Sequence, residues 1–280
     1  MDTNGKMPYS VLMSLYIKEK PAYFQEALES MLNQTVKPDQ IVIVQDGPLT
    51  ERLDQVLASY CEQYPDLILS VPLDENRGLG IALQIGMAVC KNELIARMDT
   101  DDIAEPDRCE RQLEVFASNP GVGLVGGQIM EFIEAPEKPV AKRVVPESDT
   151  EIRGFIRRRN PFNHMTVMFK KSEVERAGGY MDWFWGEDYF LWLRMHKAGC
   201  EFYNLPHVLV RARIGADMYR RRGGLKYFKS QAKLMWFARS QGIIGPVQFY
   251  MNLFERLVVT VLMPQWLRGV VFRRFVRTTV

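Results

Sequence analysis

The chain has little of what would place a protein outside the cell or across a membrane. Its four cysteines, Cys61, Cys90, Cys109 and Cys200, form no CxxC pair. That excludes a disulfide frame or a thiolate zinc site and leaves reduced thiols in a cytosolic protein as the expectation. The only histidines, His164, His196 and His207, lack HExxH spacing, so a zinc-hydrolase helix is excluded. No basic-then-apolar leader precedes the first strand, so export is not indicated. No apolar run reaches the roughly 18 residues that a bilayer span needs. GxGxxG is missing, which weakens a dinucleotide reading. Disorder is excluded by the 47% hydrophobic share, and 280 residues suffice for one large α/β domain or two smaller ones.

Charge is present but unevenly placed. From Arg220 to Val280 there are twelve Lys/Arg against one acid, Glu255. That segment carries +11, and since the whole chain is +2, the remainder carries −9. A mildly acidic body with a strongly basic tail is a statement about partners rather than fold.

Hydrophobic periodicity then orders the chain. Tyr9 to Tyr16 reads as a buried strand with Ser14 and Tyr16 near its carboxyl end. Phe24, Ala27, Leu28, Met31 and Leu32 recur at helical spacing after Pro21, which fits a first turn. Ile41 to Val44 is a β-branched central strand ending in the turn Gln45-Asp46-Gly47-Pro48. A helix over about Glu51 to Gln63, a strand over Leu67 to Val71, a helix through Ala82, Leu83 and Met87, and a strand over Leu94 to Met98 follow. Gly78 and Gly80, opening the third helix, would let backbone approach a ligand. This alternation predicts a parallel, Rossmann-like sheet. The tips at Ser14/Tyr16, Asp46 and Asp99/Asp101 fall on one edge of it, where open α/β sheets bind ligands.

Further on, Cys109, Leu113, Phe116 and Ala117 mark a helix, and 122–132 is strand material. Glu134 to Pro146 reads as a surface loop and Glu151 to Arg159 as a polar helix. Asn160 to His164 is a turn into a strand over Met165 to Phe169, and Ala177 to Tyr180 is a second turn.

Two acidic clusters stand out. Asp99-Thr100-Asp101-Asp102 follows a buried strand directly. In an extended segment Asp99 and Asp101 point the same way, and paired hard oxygen donors suit Mg²⁺ or Mn²⁺ with a diphosphate. The competing reading is a helix N-cap, although one cap needs one Asp. Glu187-Asp188 opens a helix just after Trp183-Phe184-Trp185. Rings beside carboxylates bind sugars; an aromatic core cluster with acids at a helix N-terminus is the equal alternative.

Seven stretches, in order, resemble family 2 glycosyltransferases of the GT-A fold, of the bacterial surface-polysaccharide (amylovoran, capsule, O-antigen) type. They are SVLMSLY at 10–16, EALESMLNQT at 26–35, NRGLG at 76–80, ARMDTDDI at 96–103, NH at 163–164, AGGY at 177–180 and EDYFLWLR at 187–194. The resemblance covers Tyr9 to about Arg211. It implies a GT-A α/β fold, a mostly parallel Rossmann-like sheet flanked by helices, over residues 1–212. The nucleotide-sugar half would be about 1–105 and the acceptor half about 106–212. It implies a hexosyltransferase that inverts the anomeric centre. Ser14, Tyr16, Asp46, Arg77 and Asp99 would bind the nucleotide-sugar, with Asp46 at the base, and Asp99 and Asp101 would hold Mg²⁺ or Mn²⁺. Asp188 would be the general base, and His164, Trp185 and Glu187 are acceptor-site candidates. Gln45 departs from the Asp-Asp-Gly turn of many relatives, which leaves UDP- and dTDP-sugars both open as donor. The QxxRW signature of processive members is lacking, so one sugar is added per encounter.

Residues 213–280 form the basic helical extension. Leu225, Phe228, Ala232, Met235 and Trp236 suggest one apolar face, and Phe254, Leu257, Val258, Val261 and Leu262 another. A last short helix is expected after Pro264, through Val276. Basic amphipathic helices with Trp and Phe fit an anionic membrane surface. Packing on the catalytic domain or a partner is the alternative. No DNA- or RNA-binding motif accompanies the charge, so nucleic acid is not an expected partner. The expectation is a cytoplasmic enzyme, peripheral on the inner face of the cell membrane, with a lipid-linked glycan acceptor. The competing functions are a sugar nucleotidylyltransferase, which would need a Gly-rich loop after the first strand, and a non-catalytic basic-tailed binding protein.

Overall fold

A computed structural model describes residues 7–215 and 223–264. The first hundred residues alternate as β1 (Tyr9–Leu15), α1 (Pro21–Leu32), β2 (Gln40–Gln45), α2 (Glu51–Gln63), β3 (Ile68–Pro72), α3 (Leu79–Val89) and β4 (Leu94–Met98). β1 pairs in parallel with both β2 and β4, and β2 with β3. β1, β2 and β4 are mostly apolar on both sides because both faces are covered. Val11, Met13, Leu15, Ile41 and Ile43 join the core under α1 and α2. Leu12, Val42 and Val44 join the opposite core under α3. Gly86 is what lets α3 sit so close: a Cβ there would lie 2.4 Å from Leu12 Cδ1 and 2.6 Å from Val44 Cγ2.

Beyond β4 come β5 (Ile103–Ala104), α4 (Arg108–Ser118), β6 (Val122–Phe132), β7 (Pro139–Arg143), α5 (Asp149–Phe155), a 3-10 turn (His164–Thr166) and β8 (Met168–Lys170). Then follow α6 (Lys171–Arg176), α7 (Glu187–Lys197) and β9 (Glu201–Arg213). The sheet order is β3-β2-β1-β4-β8-β6-β9-β5, with β7 paired to β6. β8 runs antiparallel to β4 and β6, while β6 and β9 are parallel. The parallel expectation therefore holds for β1 to β4, and the second half makes the sheet mixed.

Several elements depart from the sequence reading. The stretch expected as a loop over 134–146 contains β7, whose Pro139 and Lys142 suit a strand that pairs on one side. β9 was hidden because Pro206 interrupts its apolar alternation. The strand absorbs it in a register shift, Gly127 pairing with Leu205 and Gln128 with Val208. The polar helix is shorter than expected. It starts at a capping box made by Ser148 and Glu151, and ends at Phe155. The strand expected from Met165 starts at Met168, after the 3-10 turn.

Of the basic extension, α8 (Leu225–Ser240), α9 (Pro246–Leu257) and a π-turn (Val258–Leu262) are described. The apolar stripe of α8 differs from the expected one. Leu234, Met235 and Ala238 are buried with Ser230 and Gln231, while Leu225 and Trp236 are exposed. The reason is the 184–185 segment: Ser230 Oγ donates to the Phe184 carbonyl at 2.6 Å and Gln231 Nε2 to that of Trp185 at 3.4 Å. The second face points outward, with Phe254 68% and Leu262 65% exposed. The short helix expected after Pro264, the Arg220–Arg222 run and the first six residues lie outside the described residues.

Candidate active site

The acid run sits in a bend between β4 and β5. It is not a helix cap: α4 starts at Arg108 and its N-cap is Asp107. The bend brings together more than strand alternation would. Carboxylate oxygens of Asp99, Asp101 and Asp102 all lie within 4.8 Å of one another. Thr100 Oγ1 anchors the bend, donating to Glu19 Oε2 at 3.0 Å and to the Ser14 carbonyl at 3.4 Å. Asp102 is fully enclosed and accepts the Arg213 N–H at 2.7 Å, so the end of β9 clasps the run. Arg213 also donates from Nε to the Asp101 carbonyl at 3.1 Å.

These acids are crowded. Burial, then Asp99 and Glu19, push Asp101 up to about 7. Burial and its two acidic neighbours hold Asp102 well above the usual carboxylate range. Glu19 is raised, chiefly by burial. Crowded carboxylates of this kind want a cation. The donor set is all carboxylate oxygen, which fits Mg²⁺ or Mn²⁺ and disfavours softer metals.

The nearest fixed cation is Arg97, one residue before the run's flank. It is buried, forms an ion pair with Asp99, and finds no hydrogen-bond partner among the described residues for Nε or Nη1. Arg97 lines the same cleft as Asp99, Glu187 and Asp188, and its charge opposes the upward shift that burial imposes on Asp101, Glu187 and Asp188.

Glu187 and Asp188 open α7. Glu187 accepts the Gly186 N–H at 3.0 Å. Burial and Asp188 push Glu187 up to about 7, and burial raises Asp188. Asp188 Oδ1 accepts the Tyr189 N–H at 2.6 Å and Oδ2 accepts Asn160 Nδ2 at 2.5 Å. His164 shares a 3.0 Å hydrogen bond with the Tyr180 hydroxyl. Burial and then Arg97 hold it well below the usual histidine range, so the ring is neutral at pH 7.

One cleft of about 990 Å³ joins these parts: Arg97, Asp99, His164, Trp185, Glu187 and Asp188 all line it. Asp101 is half-buried and is not itself a lining residue; its carboxylate lies within 4.8 Å of that of Asp99. All three rings line the cleft: half-buried Trp183 packs against the core, with its ring centroid 4.3 Å from that of Phe190, whereas Phe184 and Trp185 are exposed. The aromatic stretch is thus partly core and partly cleft. Trp185 adopts φ 57°, unusual for so bulky a residue and a mark of an imposed conformation. The extension contributes to the same cleft through Tyr227, Gln231, Glu255, Arg256, Val259 and Thr260.

The remaining sequence candidates sit at the parallel edge. Ser14 neighbours the acid run, and Tyr16 is exposed just past β1. Both Asp46 oxygens accept backbone N–H groups, from Arg77 at 2.7 Å and Gly78 at 3.1 Å. The acid thereby shapes the loop that carries the exposed Arg77. Gly80 serves a close approach within the chain. A Cβ there would lie 2.5 Å from the Met181 carbonyl, so it admits the 181–186 loop, and Gly78 and Gly80 both line the cleft as well. Glu19, Arg97 and Asn160 were not singled out from sequence. Folding brings Arg97 to Asp99 and the Asn160 amide to Asp188.

The profile described as Glycosyl transferase family 2 matches residues 10–175. The chain belongs to glycosyl transferase family 2. An amylovoran biosynthesis glycosyltransferase of Erwinia amylovora is 41% identical over 89% of this family 2 chain and 94% of its own length. A UDP-Gal:alpha-D-GlcNAc-diphosphoundecaprenol beta-1,3-galactosyltransferase of Escherichia coli is 36% identical over 96% of each chain. Among solved structures, a mannosyltransferase of Pyrobaculum calidifontis in complex with GDP-Man and Mn²⁺ superposes with TM-score 0.65 at 18% identity, covering 94% of this chain and 72% of that one. S. aureus TarS in complex with UDP-GlcNAc gives 0.65 at 14% identity, covering 96% and 76%. The architecture of this family 2 glycosyltransferase is thus GT-A-like, a sheet flanked by helices.

Proposed function

We propose that this family 2 glycosyltransferase is an inverting, metal-dependent hexosyltransferase of bacterial surface-polysaccharide assembly. The donor would be a UDP- or dTDP-sugar and the acceptor a lipid-linked glycan. One observation carries the reading: Asp99 and Asp188, eighty-nine positions apart in sequence, face one cleft. Asp99 and Asp101 would hold Mg²⁺ or Mn²⁺, and a divalent ion bound there supplies positive charge against the departing diphosphate. Ser14, Tyr16, Asp46 and Arg77 would line the nucleotide, and His164, Trp185 and Glu187 the acceptor.

In the reaction the acceptor hydroxyl oxygen attacks the anomeric carbon. The bond from that carbon to the diphosphate oxygen breaks, and the nucleoside diphosphate leaves with the electron pair. The hydroxyl proton passes to the Asp188 carboxylate, which Asn160 and the Tyr189 N–H hold in place. Burial lifts the Asp188 basicity, which suits a base that works near neutral pH. Attack from the side opposite the diphosphate inverts the anomeric centre.

The catalytic unit, about residues 1–212, would sit on anionic lipid through the 213–280 extension. No helix among the described residues is long and apolar enough to cross a membrane. Val247, Tyr250, Met251 and Phe254, at helical spacing on α9, are exposed. Lys226, Lys229, Lys233 and Arg239 on α8 add charge at roughly 1 kcal/mol each near anionic lipid.

Two measurements test this. Incubation with UDP- and dTDP-sugars, Mn²⁺ and a lipid-diphosphate-linked monosaccharide should give a product longer by one sugar with inverted anomeric configuration. A retained configuration would overturn the mechanism. Replacing Val247, Tyr250, Met251 and Phe254 together by Ser should release the chain from phosphatidylglycerol vesicles in flotation. Unchanged flotation would overturn the membrane reading.

A further inference from the structure

Besides the acids described above, the cleft wall has a basic end where the extension meets it: Arg158 and Arg159, in the turn after α5, face Glu255 and Arg256 at the end of α9. Glu255 is the one carboxylate in this group, and both arginines share it: Arg159 Nη2 lies 3.1 Å from its Oε1 and Arg158 Nη2 lies 3.7 Å from its Oε2. Arg256 is spent on main chain. It donates to the Asn252 carbonyl at 3.2 Å and to that of Arg158 at 2.6 Å, which fixes the turn against α9. Three guanidiniums against one carboxylate leave this end positive. The side chains of Arg158 and Arg159 stay 59% and 47% exposed in the cleft wall.

Two neighbours give this end a direction. Arg159 immediately precedes Asn160, whose amide holds Asp188. Val259 and Thr260 continue the wall past Arg256, and the exposed Val261 and Leu262 carry it out beside the apolar face of α9. Forked guanidiniums suit phosphate oxygens bidentately. We infer that Arg158 and Arg159, braced by Arg256, form a binding subsite for the diphosphate of a lipid-diphosphate-linked acceptor, whose hydrocarbon leaves along Val259 to Leu262. The subsite adjoins the residue that orients Asp188, so it accepts a lipid diphosphate bearing a short glycan. The reacting hydroxyl is then close to the diphosphate. This deepens the reading of the cleft as a glycosyltransferase site and rests on it.

The test is direct binding by the full chain, with UDP and Mn²⁺ present at saturation to fill the donor end. The probes are farnesyl diphosphate, farnesol and inorganic pyrophosphate, followed by calorimetry. Farnesyl diphosphate should bind, and the R158Q/R159Q double variant should bind it at least tenfold more weakly. Both positions are exposed, and unchanged UDP–Mn²⁺ binding by the variant verifies its fold. Equal affinity of variant and wild type for farnesyl diphosphate would overturn the subsite. Farnesol binding as tightly would show that the diphosphate is not what is recognised. Pyrophosphate binding as tightly would assign the arginines to free phosphate and overturn the lipid assignment. Absence of sugar transfer by a wild type that binds farnesyl diphosphate through these arginines would instead refute the glycosyl-transfer reading alone.

Discussion

Asp188→Asn removes the proposed proton acceptor with little change of shape. The carboxylate it replaces makes two hydrogen bonds, Oδ1 from the Tyr189 N–H and Oδ2 from Asn160 Nδ2. In the variant the amide oxygen keeps the Tyr189 bond, and its NH₂ then meets the Asn160 amide. Asn160 must flip to offer its oxygen, giving up the 3.2 Å bond that it accepts from the Phe162 N–H. One such bond is worth about 1 kcal/mol. Against this, a buried charge disappears, and burial is what raises Asp188 in the first place. The two effects oppose each other, so the melting temperature should stay within about 4 °C of wild type at about 2–4 °C per kcal/mol. Turnover should behave differently. A positioned general base contributes about 10²–10⁴ in rate, or roughly 3–5 kcal/mol of barrier. The assay is single-sugar transfer to a lipid-linked acceptor, with UDP–Mn²⁺ binding measured beside it. The expected result is kcat down at least a hundredfold with donor affinity intact and the acid limb of the pH profile gone. A variant that keeps more than a tenth of wild-type kcat would refute Asp188 as base.

Asp101→Ala should abolish the Mn²⁺-dependent gain in thermal stability on adding UDP, which for wild type is about 2.7 kcal/mol at a hundredfold excess over Kd; an equal gain in the variant would rule out Asp101 as ligand. Glu187 is raised from 4.5 to about 7 by burial and Asp188, so below pH 4.5 it is protonated in both folded and unfolded chains and contributes no difference. Between 4.5 and 7 the unfolded chain ionises first and stability falls, and above 7 the full cost of at most about 3 kcal/mol is present. Glu187→Gln should therefore gain melting temperature over wild type as pH rises from 4.5 to 7 and hold the gain above; parallel curves would contradict the cause assigned. Gly80→Ala places a Cβ 2.5 Å from the Met181 carbonyl, so the 181–186 loop must move. It should lose roughly 1–3 kcal/mol of stability and lower kcat while UDP–Mn²⁺ binding persists, and an unchanged kcat would show that the loop does not position the acceptor.

Local pattern alone was enough for the elements of the first hundred residues. The β-branched run Ile41 to Val44, the helical spacing from Phe24 to Leu32, and the placing of Ser14, Asp46 and Asp99 at or just past the end of an apolar run are each set by a few neighbouring residues, and such spacing is what periodicity reads. It also put Glu187 and Asp188 at a helix start, where α7 begins. Tertiary structure decided the rest, because it depends on which distant segments meet. β9 carries Pro206 and reads as no strand until β6 offers a partner whose register can shift around it. Trp236 reads as a core residue until the 184–185 segment claims the Ser230 and Gln231 side of α8. The Asn160 amide on Asp188 and the meeting of Arg158 with Glu255 join positions 28 and 97 residues apart. Hydrophobic period constrains a residue's face on its own element; it says nothing of which carboxylate a chain reversal will bring opposite, and there the chemistry of this site resides.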